Sequence, residues 1–282
     1  MDLLGVTMEN FRHGWLSIYP TTINQSLKRE VMELKGKTIL ITGGTAGIGL
    51  EAAKQFLANG ATVIITGRNQ EKLNAAKRMY PALTAIKSDV TNKEDAWSLF
   101  NQIRELGGID ILYNNAGVVS PSLNLGLEND KHLEGAMYEM NVNYLGVIQL
   151  NNLFMEMLKS RKEGAIINTT SILSLVPSVI EPTYSASKVA LHFYIESLRK
   201  HLQFLKSNVK VFELLPPVVA TEMTANRDNK KMSPENLVKA LISGLKKDKY
   251  IIRVGDSKLL YFINRLSPKI AFGLVNQNRP KI

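Results

Sequence analysis

Cysteine is absent from this chain of 282 residues. Disulfide bonds, thiolate nucleophiles and cysteine-ligated zinc are therefore excluded. The four histidines, His13, His132, His192 and His201, are scattered, and none belongs to a His-x-x-x-His or His-Glu-x-x-His pattern. We therefore expect no bound metal.

Long apolar runs are absent as well. No stretch reaches the roughly 18 uninterrupted apolar residues of a membrane span. Residues 1–31 lack the basic start, apolar run and small-residue cleavage site of a secretory signal. We expect a cytoplasmic protein in which residues 1–31 form an N-terminal extension, with Met32 as an alternative start.

The chain carries a formal net charge of +10, and most of the excess lies at one end. From Leu245 to Ile282 there are nine Lys or Arg residues against two Asp residues. Charge alone suggests nucleic acid, but the interleaved aromatic and basic residues of a recognition motif are missing. We expect no nucleic-acid partner.

Short β-branched runs alternate with longer segments of helical periodicity, which is typical of a parallel sheet. The strand-like runs span residues 37–42, 61–66, 82–87, 110–114, 165–169 and 209–214. The helical segments span residues 48–59, 69–79, 92–106, 129–160, 182–206 and 234–247. Because the strand-like runs are continuously apolar, helices should cover both faces. The pattern predicts one doubly wound α/β domain over residues 32–256, with a mostly parallel sheet of about seven strands.

A glycine-rich turn, Thr42–Gly49, follows the first strand and opens the first helix. Its backbone N–H groups and the helix dipole can face an anionic pyrophosphate. Alone, such a turn can be a simple tight turn, but the strand before it and the helix after it favour a nucleotide site. The candidate cofactor-binding residues of the turn are Gly43, Thr45, Gly47, Ile48 and Gly49.

Arg68 follows Gly67 at the end of the second strand, where an NAD-preferring site usually holds an acidic residue. A guanidinium there can bind a 2′-phosphate through charge-assisted hydrogen bonds. The position favours NADP(H) over NAD(H). The alternative is a solvated surface arginine.

Tyr184 and Lys188 are four residues apart and therefore share a helix face. A neighbouring ammonium is expected to lower the pKa of the phenol, which makes Tyr184 a better acid or base. Ser171 follows the strand at residues 165–169, where open α/β sheets bind ligands, and its hydroxyl can hold a substrate oxygen. Taken singly, Ser171 could simply end the strand.

The glycine-rich turn, the run Asn114–Gly117 and the set Ser171, Tyr184 and Lys188 together resemble the short-chain dehydrogenase/reductase family over residues 36–225. The resemblance implies a Rossmann domain and a nicotinamide cofactor. It makes Asn143 the catalytic asparagine of a proton relay, with Asn141 the weaker match. The resemblance further implies that Asp89 and Val90 contact the adenine of the cofactor and that Asn115, Ala116 and Gly117 border the cofactor. At the nicotinamide end, it implies that Tyr184 and Lys188 contact the cofactor and that Thr221 lies near the nicotinamide carboxamide.

One departure from the family is Pro216-Pro217-Val218, where the family usually has Pro-Gly. Proline fixes φ and lacks an N–H donor, so the loop over the nicotinamide must run differently. The run from Phe212 to Thr221 is also similar to a bacterial subgroup often labelled with teichoic-acid D-alanylation, a label that names no substrate.

These residues predict an NADP-dependent oxidoreductase acting on a carbonyl or alcohol, with Ser171, Tyr184, Lys188 and Asn143 as catalytic residues. The alternative is a dinucleotide-binding regulatory protein that does no chemistry. An apolar substrate is expected because few charges accompany the residues beside Ser171, which are Leu173, Leu175, Val176, Pro177, Val179 and Ile180. The family resemblance implies a homodimer or homotetramer joined through residues 129–160 and 182–206.

Residues 257–282 form a basic segment with apolar positions at helical spacing. One interpretation is a helix packed over the substrate cleft or against a partner subunit. The other is peripheral contact with an anionic membrane, in which apolar burial and lipid charge act together.

Overall fold

The computed structural model describes residues 32–121, 125–129, 131–227 and 230–277. The expected N-terminal extension, residues 1–31, lies outside the described residues. None of the helices in these ranges is long and apolar enough to cross a bilayer.

Seven strands in the described ranges form one sheet in which all neighbouring strands run parallel. They are β1 (Thr38–Ile41), β2 (Thr62–Gly67), β3 (Thr84–Lys87), β4 (Ile111–Asn114), β5 (Ala165–Thr169), β6 (Lys210–Leu215) and β7 (Ile251–Arg253). Their order across the sheet is β3-β2-β1-β4-β5-β6-β7. The predicted parallel sheet is confirmed, and β7 is a short edge strand that no apolar run had marked.

Helices connect the strands and follow the last of them. They are α1 (Gly47–Ala58), α2 (Gln70–Met79), α3 (Lys93–Glu105), α4 (Lys131–Met140), α5 (Gly146–Lys159), α6 (Pro182–Phe204), α7 (Pro234–Leu245), α8 (Asp256–Leu266) and α9 (Pro268–Val275). Side-chain caps fix four of these starts, at α2, α3, α7 and α9; at α3, for example, Asn92 accepts a hydrogen bond from the Asp95 N–H.

The segment predicted as one helix over residues 129–160 is helical from Lys131 to Lys159, but its hydrogen-bonding pattern changes in the middle. Asn141–Leu145 form a π-helical turn between α4 and α5. Such turns occur frequently at functional sites. This one contains Asn143, which is fully buried.

Successive side chains of β1 point to opposite faces of the sheet, and each face has its own core. Ile39 and Ile41 pack with residues of α1, α2 and α7. Leu40 packs with residues of α3, α5 and α6. The protein is therefore a doubly wound Rossmann domain with helices on both faces, as predicted.

The strand order reverses between β1 and β4, since β1 continues to β2 on one side and β4 to β5 on the other. In open parallel sheets, ligands bind in the crevice beyond the carboxyl ends of the strands at such a point. The glycine-rich turn follows β1 and Asn115 follows β4. Both therefore stand at this crevice.

Candidate active site

The glycine-rich turn approaches other backbone too closely for larger residues. Gly43 has a φ of +63°, and a Cβ there would lie 2.9 Å from the Ala116 Cα. A Cβ at Gly49 would lie 2.5 Å from the Asn115 Nδ2 and closer still to the Gly43 carbonyl oxygen. Gly47 has a φ of +53° and faces the Thr221 side chain. The glycines therefore permit a turn that fits tightly between β1 and the end of β4.

Asn115 and Thr42 hold this turn in place. The Asn115 side-chain amide donates to the carbonyl oxygens of Thr42 at 3.1 Å and Gly43 at 3.2 Å. The Thr42 hydroxyl oxygen accepts from the N–H groups of Asn115 at 3.1 Å and Ala116 at 3.0 Å. Asn115 thus supports the crevice as well as lining it.

The first turn of α1 is free of negative charge. Its N-cap residue, Ala46, makes no side-chain capping hydrogen bond, and no acidic residue lies in the first turn. The helix N-terminus, with its positive dipole end, therefore remains able to bind an anion.

Arg68 lies beyond the end of β2 and is oriented by two neighbours. Its guanidinium donates to the Tyr138 hydroxyl at 2.9 Å and lies 3.8 Å from the Asp89 carboxylate. The hydrogen bond with Tyr138 is the main reason that the pKa of Arg68 is raised, so the group stays charged. Asp89 and Val90 follow β3, which brings all three predicted adenosine-side residues to adjacent strand ends.

Ser171, Tyr184 and Lys188 converge at the carboxyl end of β5. A hydrogen bond joins the hydroxyl groups of Ser171 and Tyr184. The Lys188 Nζ lies 5.7 Å from the centre of the Tyr184 ring and donates to the Thr169 carbonyl oxygen at 3.0 Å. All three residues line the same cavity.

Asn143 stands behind this set. Its side-chain amide donates to the Val118 carbonyl oxygen at 2.9 Å and to the Ser187 hydroxyl at 3.0 Å, and its Oδ1 accepts from the Val118 N–H at 2.9 Å. A Cβ on Gly117 would be 3.3 Å from the Asn143 Oδ1 and 3.4 Å from the Lys188 Nζ. The π-helical turn therefore brings Asn143 to the lysine side of the site, whereas Asn141 is exposed.

The pKa of the Tyr184 phenol in this structure differs from the expected one. The cavity leaves part of the phenol accessible, but the surrounding protein desolvates it and raises its pKa to about 12, while the hydrogen bond with Ser171 acts in the opposite direction. Burial lowers the pKa of Lys188 to about 8. The expected lowering of the tyrosine pKa by the neighbouring amine is not found here, because Lys188 is not among the causes of the shift and desolvation sets its direction.

The cavity has a volume of about 600 Å³ and is lined by residues far apart in the sequence. Beside the set at β5, its wall includes Ile48 of α1, Gly117, the loop after β6, and residues of α8 and α9. The C-terminal helices thus pack over the cleft, which was one of the two interpretations of this segment. Of the apolar residues expected there, Leu173 and Ile180 line the cavity, whereas Leu175 and Val176 pack with residues of α8 and α9.

An ion pair between a buried carboxylate and a half-buried guanidinium interrupts this apolar wall. Glu181 is 8% exposed and pairs with Arg227, and both side chains line the cavity. Burial raises the pKa of the Glu181 carboxyl above its ordinary value, against the effect of Arg227. Arg227 lies 46 residues from Glu181 in the sequence, so no local pattern predicts this pair.

The loop with the unusual Pro216-Pro217 sequence is fixed by backbone pairing elsewhere. The Met232 N–H donates to the Val218 carbonyl oxygen, and the Ala220 N–H donates to the Met232 carbonyl oxygen, both at 2.9 Å. Pro217 lines the cavity. Its missing N–H does not leave the loop unsupported, and the loop delivers Thr221 to the side of Gly47.

His192, one helical turn beyond Lys188, is a packed residue rather than a surface one. Its Nδ1 lies 2.8 Å from the Glu213 carboxylate, which is fully buried and also accepts from the Thr170 hydroxyl at 2.8 Å. The hydrogen bond with Glu213 raises the pKa of His192. Among the described residues, no cluster of three or more His, Asp or Glu side chains is placed to hold a metal ion.

A family model described as short chain dehydrogenase matches residues 37–232. Because this match covers more than half of the chain, the protein belongs to the short-chain dehydrogenase/reductase family of oxidoreductases. The predicted resemblance is thereby confirmed.

Curated relatives agree with this assignment. The chain is 34% identical over 226 residues to DltE of Bacillus subtilis, named an uncharacterized oxidoreductase, and the match covers 77% of this chain and 88% of that protein. An uncharacterized oxidoreductase of Staphylococcus saprophyticus is 31% identical over 230 residues, which cover 78% of this chain and 96% of the relative. The similarity to DltE confirms the predicted bacterial subgroup.

Solved structures share the fold. A short chain dehydrogenase from Burkholderia cenocepacia in complex with NADP has a TM-score of 0.77 and 27% identity, covering 86% of this chain and 99% of that one. A short chain dehydrogenase/reductase from Burkholderia phymatum in complex with NAD has a TM-score of 0.72 and 18% identity, covering 83% and 96%. The second likeness shows the fold alone.

The residues present fit a nicotinamide dinucleotide. The tight glycine turn and the acid-free start of α1 suit a pyrophosphate, and Arg68 stands at the adenosine end. At the other end, Ile48, Asn115 and Thr221 border the cavity that contains Tyr184. One crevice can therefore hold the dinucleotide with its reactive end beside the phenol.

Proposed function

We propose that this protein is an NADP-dependent oxidoreductase that transfers a hydride between nicotinamide and a nonpolar carbonyl or alcohol. The observation that carries the proposal is the convergence of Ser171, Tyr184 and Lys188 on one cavity that also touches the glycine-rich start of α1. Binding a dinucleotide does not require such a set, which argues against a protein that does no chemistry.

In this mechanism the bound dinucleotide supplies the hydride. The hydroxyl groups of Ser171 and Tyr184 hold the substrate oxygen, and the Tyr184 phenol gives that oxygen a proton as it becomes an alkoxide. Lys188, below its pKa of about 8, supplies a positive charge that stabilises the phenolate left behind. Asn143 fixes the backbone of Val118 beside Lys188. A water held at this side of the site can return a proton to Tyr184.

The protonation state of Tyr184 suits its role as the proton donor in carbonyl reduction. With a pKa of about 12, the Tyr184 phenol is protonated at neutral pH and can act as a proton donor. Alcohol oxidation requires the phenolate, which burial disfavours.

The preference for NADP(H) rests on Arg68. Its guanidinium is charged, half-exposed and oriented by Tyr138 and Asp89. A 2′-phosphate can take a bidentate contact from this group. The NADP complex of the Burkholderia cenocepacia protein supports the same choice.

The cavity supports an apolar substrate with one polar group. Its wall contains Leu173, Ile180, Val218 and Ile263, while Glu181 and Arg227 provide a local pair of hydrogen-bonding groups. Apolar lining with a few placed polar groups is typical of small-molecule sites.

A homodimer or homotetramer is also part of the proposal. Apolar side chains are exposed on the two helical regions expected to join subunits, including Leu133 and Met137 of α4 and Phe193 of α6. Such exposed apolar surface is typical of subunit interfaces. Sedimentation velocity of the full chain tests it, and a monomer at micromolar concentration would contradict it.

The activity is tested by following the absorbance of NADPH, and separately of NADH, against a panel of ketones, aldehydes and quinones. We expect NADPH consumption with apolar members of the panel. If the protein binds NADPH but consumes it with no compound of the panel, the result favours a dinucleotide-binding regulatory protein. If the protein binds neither dinucleotide, both the oxidoreductase and the regulatory interpretation are contradicted.

A further inference from the structure

Helix α8 has two apolar faces, although only one of them packs against the protein. Leu260 and Ile263 pack with Val176 on the inner side. Beside this inner side, Leu259, Phe262 and Leu266 repeat at spacings of three and four, so they share one stripe along the helix. Their exposed fractions are 63%, 63% and 88%.

Helix α9 packs against α8 and extends this surface. Ile270 and Leu274 of α9 are four residues apart, share one side of that helix and are exposed by 58% and 44%. We call these exposed apolar residues of the two helices the outer face: Leu259, Phe262, Leu266, Ile270 and Leu274. Large exposed apolar patches on soluble proteins mark protein or membrane contacts.

Cations accompany the outer face. Lys258 and Arg265 lie seven residues apart beside the stripe of α8, and Lys269 lies in the first turn of α9; all three are exposed. The one acidic residue between positions 256 and 277 is Asp256, which lines the cavity. Within the described part of the chain, no carboxylate forms an ion pair with these three cations. Their charge is therefore available to an external anion.

We propose that the outer face docks on an anionic lipid bilayer. Apolar side chains that enter the interface while neighbouring cations meet lipid headgroups form the combination that holds interfacial helices on membranes. A second copy of the chain is a poorer occupant, because a twofold contact through this face would bring Lys258, Arg265 and Lys269 towards an identical set of cations.

The outer face also adjoins the cavity. Leu259 and Leu274 belong to the cavity wall and are exposed to solvent at the same time. Apolar surface is therefore continuous from the cavity to the outside. Docking on the outer face brings this part of the cavity wall to the bilayer.

Co-sedimentation of the full chain with vesicles tests the proposal without any measurement of activity. We expect binding to vesicles of roughly 3:1 phosphatidylcholine and phosphatidylserine at low salt, weak binding to phosphatidylcholine alone, and release at high salt. Reversing two charges, Lys258→Glu with Lys269→Glu, should weaken binding at least about 25-fold, since each lost cation is worth roughly fivefold. Phe262→Ser with Leu266→Ser should weaken it at least about tenfold.

Matched variants elsewhere on the surface are the controls. Lys93→Glu with Lys200→Glu changes the net charge equally, and Met79→Ser with Leu106→Ser removes two apolar side chains that are more than half exposed. Both controls should keep most of the binding. The proposal is overturned if the native chain does not bind anionic vesicles at low salt, or if the controls weaken binding as much as the outer-face variants. It is also overturned if Phe262→Ser with Leu266→Ser dissociates an oligomer and leaves vesicle binding unchanged.

Discussion

The cofactor side and the substrate side of the crevice are built in different ways. On the cofactor side, short stretches at the ends of β1, β2 and β3 place backbone and a few side chains, and glycine contacts such as Gly49 against Gly43 set the geometry. On the substrate side, side chains from β5, α6, the loop after β6 and the C-terminal helices meet around one cavity. The part that binds a common cofactor is thus encoded locally, and the part that selects a substrate depends on tertiary packing.

Tyr184→Phe should have the largest effect, and this effect should be confined to catalysis on the substrate side of the crevice. Removing the phenol hydroxyl should lower kcat/KM roughly 10³-fold, because the proton donor is lost. Steady-state kinetics with NADPH and any active carbonyl measures this. Tyr80→Phe, a change on a partly buried tyrosine that lines no part of the cavity, should leave kcat/KM unchanged. A Tyr184→Phe enzyme with native activity would remove the proton-donor assignment.

Gly49→Ala should disturb the glycine-rich turn on the cofactor side of the crevice. The added Cβ collides with the Gly43 carbonyl oxygen and the Asn115 side chain, so the turn must shift. Overpacking of this kind costs about 1–3 kcal/mol, and a cost of that size in the bound turn corresponds to a dissociation constant for NADPH that is higher by about 5- to 150-fold. Gly273→Ala is the matched control, since nothing lies within 4 Å of its Cβ position. Unchanged NADPH affinity in Gly49→Ala would place the pyrophosphate elsewhere.

Arg68→Ala tests which dinucleotide the cofactor side prefers. Losing a hydrogen bond to a charged group costs about 1.5–3 kcal/mol, so the KM for NADPH should rise at least about tenfold. The KM for NADH should stay the same, because NADH lacks the 2′-phosphate. Arg104→Ala, on α3, should change neither value. An equal rise for both dinucleotides would show that Arg68 acts on the fold rather than on the phosphate.

The pH dependence should reveal Lys188. Because burial lowers its pKa to about 8, the ammonium is present below that pH and lost above it, while Tyr184, with a pKa of about 12, stays protonated. The rate of carbonyl reduction should therefore fall about tenfold between pH 7 and pH 9. In Lys188→Arg the guanidinium stays charged, so the residual activity should be flat over this range. An unchanged alkaline fall in that variant would assign it to another group.

Much of the fold was predictable because its signals are local. The continuously apolar runs predicted six strands of the sheet, and helical periodicity over residues 234–247 predicted α7. Strand β7 was not located, because its three residues pair with Glu213–Leu215 and carry no periodicity of their own. The π-helical turn at Asn141–Leu145 likewise has no signature in the apolar pattern.

The site was predictable where residues lie close in sequence. Tyr184 and Lys188 share a helix face, and the glycine-rich turn is one continuous motif. The pair of Glu181 with Arg227 and the burial that shifts the tyrosine pKa both depend on elements far apart in the chain. Local patterns cannot report such contacts, since they arise only when β5, α6 and the loop after β6 come together.

The most direct test of the two-sided account is a fluorescence titration of NADPH against Tyr184→Phe and Gly49→Ala under the same conditions. We predict that Tyr184→Phe binds within about threefold of the native protein, since it loses one neutral hydrogen bond at most. Gly49→Ala should bind at least about fivefold more weakly. Equal loss of NADPH affinity in both variants would contradict the separation of cofactor binding from chemistry.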